Sequence, residues 1–285
     1  PSGSRDDAAV VYAFCRLVDD LADEAPDPHT ARHDLAQVRG ELEGERRARP
    51  LVQAFKTLCQ ARGIPLGAAT ALLDGVESDL ETVRVADDRE LLRYCYRVAG
   101  TVGIMMCGVL GVTDPRALAP AIDLGIGMQL TNICRDVRED AQRGRTYLPA
   151  DRLLAAGTTA EALVAGEPDR FAVRKVTSDL LNMADVYYRS ARQGMRFIPW
   201  RARLAIRIAS GVYRAIGHKL RRNGSDPWQG RTVVGVAGKV AATVRAGLDF
   251  VSPTIQGWAR HRAHRASLHH DLQGLPGASP SEVLL

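Results

Sequence analysis

A chain of 285 residues that is 46% hydrophobic and 25% charged carries enough apolar material for a buried core, which excludes a disordered polypeptide. Aromatic residues make up only 5%, too few for the β-rich architectures that lean on Tyr, Trp and Phe. The net charge of +5 gathers between Arg201 and Arg265, where 13 Lys and Arg stand against two acids; without interleaved aromatics or a zinc-finger, KH or RRM signature, this speaks against nucleic acid.

The chain opens on Pro1 and soon meets an acidic motif, so the natural N-terminus is expected upstream, and no secretory leader is read. Residues 7–24 carry Ala8, Val11, Tyr12, Cys15, Val18 and Ala22 at three- and four-residue spacings, the stripe of a core-facing helix that Pro26 and Pro28 end. Segments 29–47, 50–62 and 66–84 repeat the pattern, divided by Arg49-Pro50 and Gly63-Ile64-Pro65. Segments 88–111 and 116–141 are the two most apolar helices. The longest apolar run, Val98 to Val112, falls short of the roughly 20 residues of a membrane span and predicts a buried helix. A polar stretch, 142–145, precedes Tyr147-Leu148-Pro149, after which helices are expected at 151–155, 159–165, 169–197 and 200–222. Asn223 to Pro227 is a loop by composition, 231–250 predicts a final helix, and the tail beyond Arg265 reads as poorly ordered. No internal repeat or strand alternation interrupts this pattern. The expectation is an all-α single domain over residues 1–265, with 266–285 as a disordered tail. Five cysteines without CxxC spacing (Cys15, Cys59, Cys95, Cys107 and Cys134) point to reduced thiols in a cytoplasmic protein.

Two acidic clusters stand out by their spacing. Asp19 and Asp23 are one helical turn apart, so both carboxylates leave the same face, where like charges destabilise a bare helix. Such a pair is either an acidic solvent face or a cation site, and hard carboxylate oxygens suit Mg²⁺. Asn132, Asp136 and Asp140 follow at four-residue steps, drifting only about 40° per step, with Ile133 and Val137 facing inward beside them. Two such stripes facing each other across a bundle would hold several Mg²⁺ ions bridging to a diphosphate, with Arg16 and Arg135 in reach of the same phosphate oxygens. A third segment, Tyr94 to Gly103, places Gly100 and Gly103 inside a helix, where either a neighbouring helix or a ligand can use the missing side chains.

These motifs, in this order, resemble those of the squalene/phytoene synthases. Tyr12-Ala13-Phe14-Cys15-Arg16 with Asp19-Asp20-x-x-Asp23 is similar to the family's first aspartate-rich motif. Tyr94 with Val98-Ala99-Gly100-Thr101-Val102-Gly103 is similar to its tyrosine segment. Gln129 to Asp140, followed by Gly144-Arg145-x-Tyr147-Leu148-Pro149, is similar to its second. The resemblance spans about residues 8 to 250 and implies an isoprenoid-synthase helical bundle with a central substrate cavity. It also implies head-to-head condensation of two prenyl diphosphates. Its implied Mg²⁺ ligands, for two or three ions, are Asp19, Asp23, Asn132, Asp136 and Asp140. Tyr94 matches the catalytic tyrosine, with Arg16, Asp19 and Asp23 beside it, and Tyr12, Arg16, Gln129 and Arg135 match positions that bind diphosphate or support the metals. The family's opening Ser-x-Ser-Phe helix is not in this sequence, and its Asn-x-Tyr-Asp reads Asn223-Gly224-Ser225-Asp226.

The leading expectation is a phytoene-synthase-like prenyltransferase acting on two C20 donors, with NADPH not expected since no GxGxxG fingerprint appears. Squalene, presqualene-diphosphate or dehydrosqualene synthesis from C15 donors is the alternative. A class I terpene cyclase fits less well, because the Tyr94–Gly103 segment is not expected there, and a non-catalytic member of the fold would be expected to lose metal ligands that this chain keeps. Val98, Val102 and Met106 follow Tyr94 at four-residue steps and are expected either to line the prenyl channel or to pack on a neighbouring helix. The basic stretch predicts peripheral association with anionic lipid.

Overall fold

The computed structural model describes residues 2–230, 232, 235 and 264–278. Its first half is a set of packed helices cut by the proline and glycine signals seen in the sequence. Helix α1 covers Ser2–Asp23, α2 Pro28–Glu43, α3 Pro50–Arg62 and α4 Leu66–Ser78. Asp27 caps α2 by accepting from the backbone N–H groups of His29 and Thr30, satisfying donors that a helix start leaves free. Gly44, in the left-handed region at φ +85°, stops α2 short of the expected residue 47. α4 ends at Ser78, six residues earlier than its apolar pattern predicts, because residues 83–86 run extended beside Thr146 instead.

The expected 88–111 helix is present with a change of pitch inside it: α5, Asp88–Cys95, passes through a π-helical turn, Tyr96–Gly100, into α6, Thr101–Val109. A short 3₁₀ turn, Pro115–Ala117, leads to the 25-residue α7, Leu118–Gln142. Then come α8, Ala150–Ala156, α9, Ala160–Val164, α10, Arg170–Ala191, and α11, Trp200–Arg222. The last turn of the expected 169–197 helix tightens to 3₁₀ over Arg192–Phe197. The helix expected over 231–250 lies almost wholly outside the described residues.

α7 is the axis of the bundle. Ile122, Ile126, Leu130, Ile133, Cys134 and Val137 are buried along it, against α10, α6 and the π turn. Close approach there rests on glycine: a Cβ on Gly125 would stand 2.3 Å from the Ala99 carbonyl oxygen, and one on Gly103 would stand 2.4 Å from that of Ala121. Gly103 therefore serves a neighbouring helix, and Gly100 lies against Tyr96 and Ile122, which decides between the two readings left open by sequence. Phe14 stacks on Phe55 at 3.9 Å between centroids and ties α1 to α3. All five cysteines are free thiols. Among the described residues, no helix is long and apolar enough to cross a membrane.

One expectation is corrected. Residues 266–278 are not a disordered tail: Ala266–Leu272 forms a 3₁₀ helix, and Leu272, Leu275 and Ala278 are buried. The Tyr96 hydroxyl donates to the Pro276 carbonyl, Tyr187 donates to that of Leu268 at 3.0 Å, and Arg93 donates to those of Asp271 and Gln273. Leu272, Leu275 and Ala278 join the core, and backbone carbonyls of the segment accept from side chains of the bundle, long-range contacts that hydrophobic periodicity does not register.

Candidate active site

α1 and α7 present their acidic stripes to one cavity of about 240 Å³. Asp19 and Asp23 enter from α1, and Gln129, Asn132, Arg135, Asp136 and Asp140 from α7. The remaining wall comes from the end of α4 (Val76 and Asp79), from Tyr94 on α5, and from Arg145 and Tyr147 in the loop after α7. That loop is pinned locally. Gly144 turns at φ +75°, its carbonyl accepts from Arg84 at 2.7 Å, and the Thr146 backbone exchanges hydrogen bonds with Val83 and Val85. Arg145 and Tyr147, on either side of Thr146, are thereby aimed into the cavity.

The electrostatics are those of crowded acids. Burial, and then the neighbouring Asp23 carboxylate, pushes Asp19 up to about 6. Burial followed by Asp136 pushes Asp140 up to about 7. Arg135 pairs with Asp136, its Nε donating to Oδ1 at 2.8 Å. Asn132 donates to Gln129 at 3.4 Å, while its own Oδ1 is buried and accepts no hydrogen bond. An orphaned carboxamide oxygen among mutually repelling carboxylates fits a hard divalent cation such as Mg²⁺. Among the described residues these acids nowhere bring three ligand atoms within 4.8 Å of one another.

Asp79 was not singled out from the sequence, where it is one acid closing an apolar helix. In the fold it accepts from two phenols, Tyr94 at 2.9 Å and Tyr147 at 2.7 Å, whose rings stack at 4.7 Å. Burial raises the Asp79 carboxyl above its ordinary value, against the two hydrogen bonds. Burial, and then the Asp79 charge, holds the Tyr94 phenol well above its ordinary range, so it stays a neutral donor.

Four of the sequence-selected residues, Tyr12, Arg16, Val98 and Val102, stand outside this lining. Tyr12 shares the α1 face of Asp19 two turns away and is 72% exposed. Arg16, 59% exposed, pairs with Asp20 at 2.9 Å. Val98 and Val102 are half-buried beyond Tyr94, and Val98 packs against α4 at Gly75. Ser225, where the family's tyrosine is expected, is a buried residue with φ +54° in the loop after α11.

A family model described as squalene/phytoene synthase matches residues 1–237. The chain is 37% identical over 276 residues to the 15-cis-phytoene synthase of Enterobacter agglomerans, covering 93% of this chain and 92% of that one. It is 41% identical over 230 residues to the phytoene synthase of Thermus thermophilus, covering 79% and 77%. Among solved structures, a dehydrosqualene synthase in complex with ligand superposes with a TM-score of 0.76 at 26% identity, over 87% of each chain.

Proposed function

The chain belongs to the squalene/phytoene synthase family, and we propose that it joins two geranylgeranyl diphosphates head to head, through prephytoene diphosphate, to phytoene. The observation that carries this reading is the single cavity onto which both carboxylate helices and Tyr94 open. In this reading Asp19 and Asp23 on α1, with Asn132, Asp136 and Asp140 on α7, hold two or three Mg²⁺ ions. When bound, the ions supply Lewis-acid charge that stabilises leaving diphosphate.

The chain's own residues do the rest. Arg135, Arg145 and Gln129 orient phosphate oxygens from within the cavity, and Arg16 and Tyr12 receive them at its outer edge. Ala22, Val76 and Ile133 keep water from the reacting carbons. The first donor loses diphosphate to give an allylic cation, the second donor's alkene attacks it, and proton loss closes a cyclopropylcarbinyl diphosphate. Loss of that diphosphate, rearrangement and a second proton loss give the linear polyene. Tyr94, hydrogen-bonded to Asp79, orients diphosphate or takes such a proton while passing its own to the carboxylate. No hydride donor is called for, because the central double bond forms by proton loss.

The test is product analysis with C20 and C15 donors, with and without NADPH, beside Asp136→Ala. Phytoene from the C20 donor without NADPH is expected, with turnover abolished in the variant. The likeness to a dehydrosqualene synthase favours one second reading, condensation of C15 donors, and a C30 product in preference to phytoene would select it. We further propose that the basic residues between Arg201 and Arg265 hold the enzyme on anionic lipid, where substrate and product partition. Salt-sensitive sedimentation with anionic vesicles is expected, and no binding at low salt would leave the stretch a solvated face.

A further inference from the structure

Away from the carboxylate cavity, one buried cluster has no part in the reaction. Asp123 on α7 is fully buried, and each of its oxygens faces an imidazole. Oδ1 lies 2.9 Å from Nε2 of His269, and Oδ2 lies 2.9 Å from Nε2 of His264. One ligand atom from each of the three lies within 4.8 Å of the others. His269 is buried, and the His264 side chain is 18% exposed. Asp123 precedes Asn132 by nine residues, half a turn round the helix and about 13 Å along its axis, so the cluster lies behind the cavity.

A count of hydrogens shows what the cluster lacks. Nδ1 of His269 lies 3.1 Å from the Ala278 carbonyl oxygen, which can only accept, so Nδ1 carries the hydrogen. A neutral imidazole has one N–H, and Nε2 therefore turns a lone pair toward a fully buried carboxylate. That contact is repulsive unless a second proton or a metal ion stands in it. An Nδ1–H held by a backbone carbonyl, with Nε2 aimed beside a carboxylate, is the posture of a metal-ligating histidine. Two imidazoles and a carboxylate form a donor set for a borderline transition metal, unlike the all-oxygen set that suits Mg²⁺. Tetrahedral Zn²⁺ needs its ligand atoms about 3.3 Å apart, so the 2.9 Å pair on the coordinating oxygen would open by about 0.4 Å, and the second imidazole would turn from the other oxygen toward the ion.

We propose that Asp123, His264 and His269 bind one divalent transition-metal ion of the Zn²⁺ class, with water as fourth ligand, fastening residues 264–278 to the bundle. The fastened segment receives the Tyr96 hydroxyl at Pro276, two residues beyond Tyr94, so the clasp braces the back of the helix that carries the catalytic phenol.

Metal analysis of the full chain, loaded with Zn²⁺ and dialysed in excess Mg²⁺, tests this. One Zn²⁺ per chain is expected in the wild type and in Asp136→Ala, which alters only the carboxylate cavity. His264→Ala, at the least buried ligand, is expected to weaken Zn²⁺ binding at least about tenfold. It should also abolish the rise in melting temperature that Zn²⁺ gives the wild type, and His269→Ala should do the same. Co²⁺ loading should give the visible absorption of a tetrahedral site in the wild type and in Asp136→Ala, and in neither histidine variant. Wild-type protein that retains no Zn²⁺, melts at the same temperature with metal and with chelator, and shows no Co²⁺ spectrum would overturn the proposal and leave an ion pair joined by a proton. Zn²⁺ lost on Asp136→Ala and kept on His264→Ala would overturn it by placing the metal in the carboxylate cavity.

Discussion

Asp79 holds two phenols at once, one carboxylate oxygen for each, and so couples Tyr94 on α5 to Tyr147 in the loop after α7. If Tyr94 works through its hydroxyl, Tyr94→Phe should slow turnover by about 10²-fold or more, whereas a phenol that only packs tolerates the change. Asp79→Asn keeps the volume and weakens the acceptor. Because the two side chains share one hydrogen bond, the double variant should be little slower than the worse single one. Measured kcat for the two singles and the double checks this, and fully additive losses would mean that Asp79 acts apart from Tyr94. Near-wild-type turnover by Tyr94→Phe would remove the phenol from the chemistry.

At the scale of the element, the π turn at Tyr96–Gly100 changes which residues follow Tyr94 down the helix. In a regular helix, steps of four residues drift by about 40°, so Val102 and Met106 would sit roughly 80° and 120° round from Tyr94. One extra residue in the π turn takes back about 100°, which brings both to within roughly 20° of it. The turn thus straightens the stripe that sequence spacing alone leaves spiralling. If the stripe lines the prenyl channel, Val102→Trp should shift donor preference from C20 toward C15 with metal binding unchanged; lost stability at unchanged preference would make it a packing face. The turn is held against α7 at Gly125, whose missing Cβ admits the Ala99 carbonyl. Gly125→Ala is expected to destabilise the fold by about 1–3 kcal/mol in denaturant melts, through forced backbone movement.

Across the whole molecule, the chain's late segments return to its middle. Asp226, with a nearly inaccessible side chain, closes the loop after α11 by accepting from Arg170 and Arg174 on α10 and from the Trp228 backbone. Burial works to raise its carboxyl, but the two guanidiniums outweigh burial and hold it below its ordinary value of 3.8. A depressed folded-state value contributes stability that is complete above the unfolded value and fades as pH falls through the folded one. Asp226→Asn should cost about 2 kcal/mol at neutral pH and less at pH 3, flattening the acid limb of a stability profile. A constant deficit from pH 7 to pH 3 would mean that the loop is held by its shape and not by the charge.

The order of the helices up to residue 222, the acidic faces of α1 and α7, and the order of the motifs were legible in the sequence. Each rests on local periodicity, which a 3.6-residue repeat writes into neighbouring residues. The 50–62 and 200–222 helices fall on their expected bounds because proline and glycine punctuate them. Tertiary structure decided what no spacing records: that Asp79, Arg145 and Tyr147 join the carboxylates, that Tyr12 and Arg16 stay outside the cavity lining, and that Gly103 serves a helix contact. It also decided the π turn, which answers to packing on α7 rather than to residue preference. Asp123 makes the reason plain. In sequence it is one acid inside an apolar helix, and only burial of the chain's far end brings His264 and His269, 141 and 146 residues away, to its two oxygens.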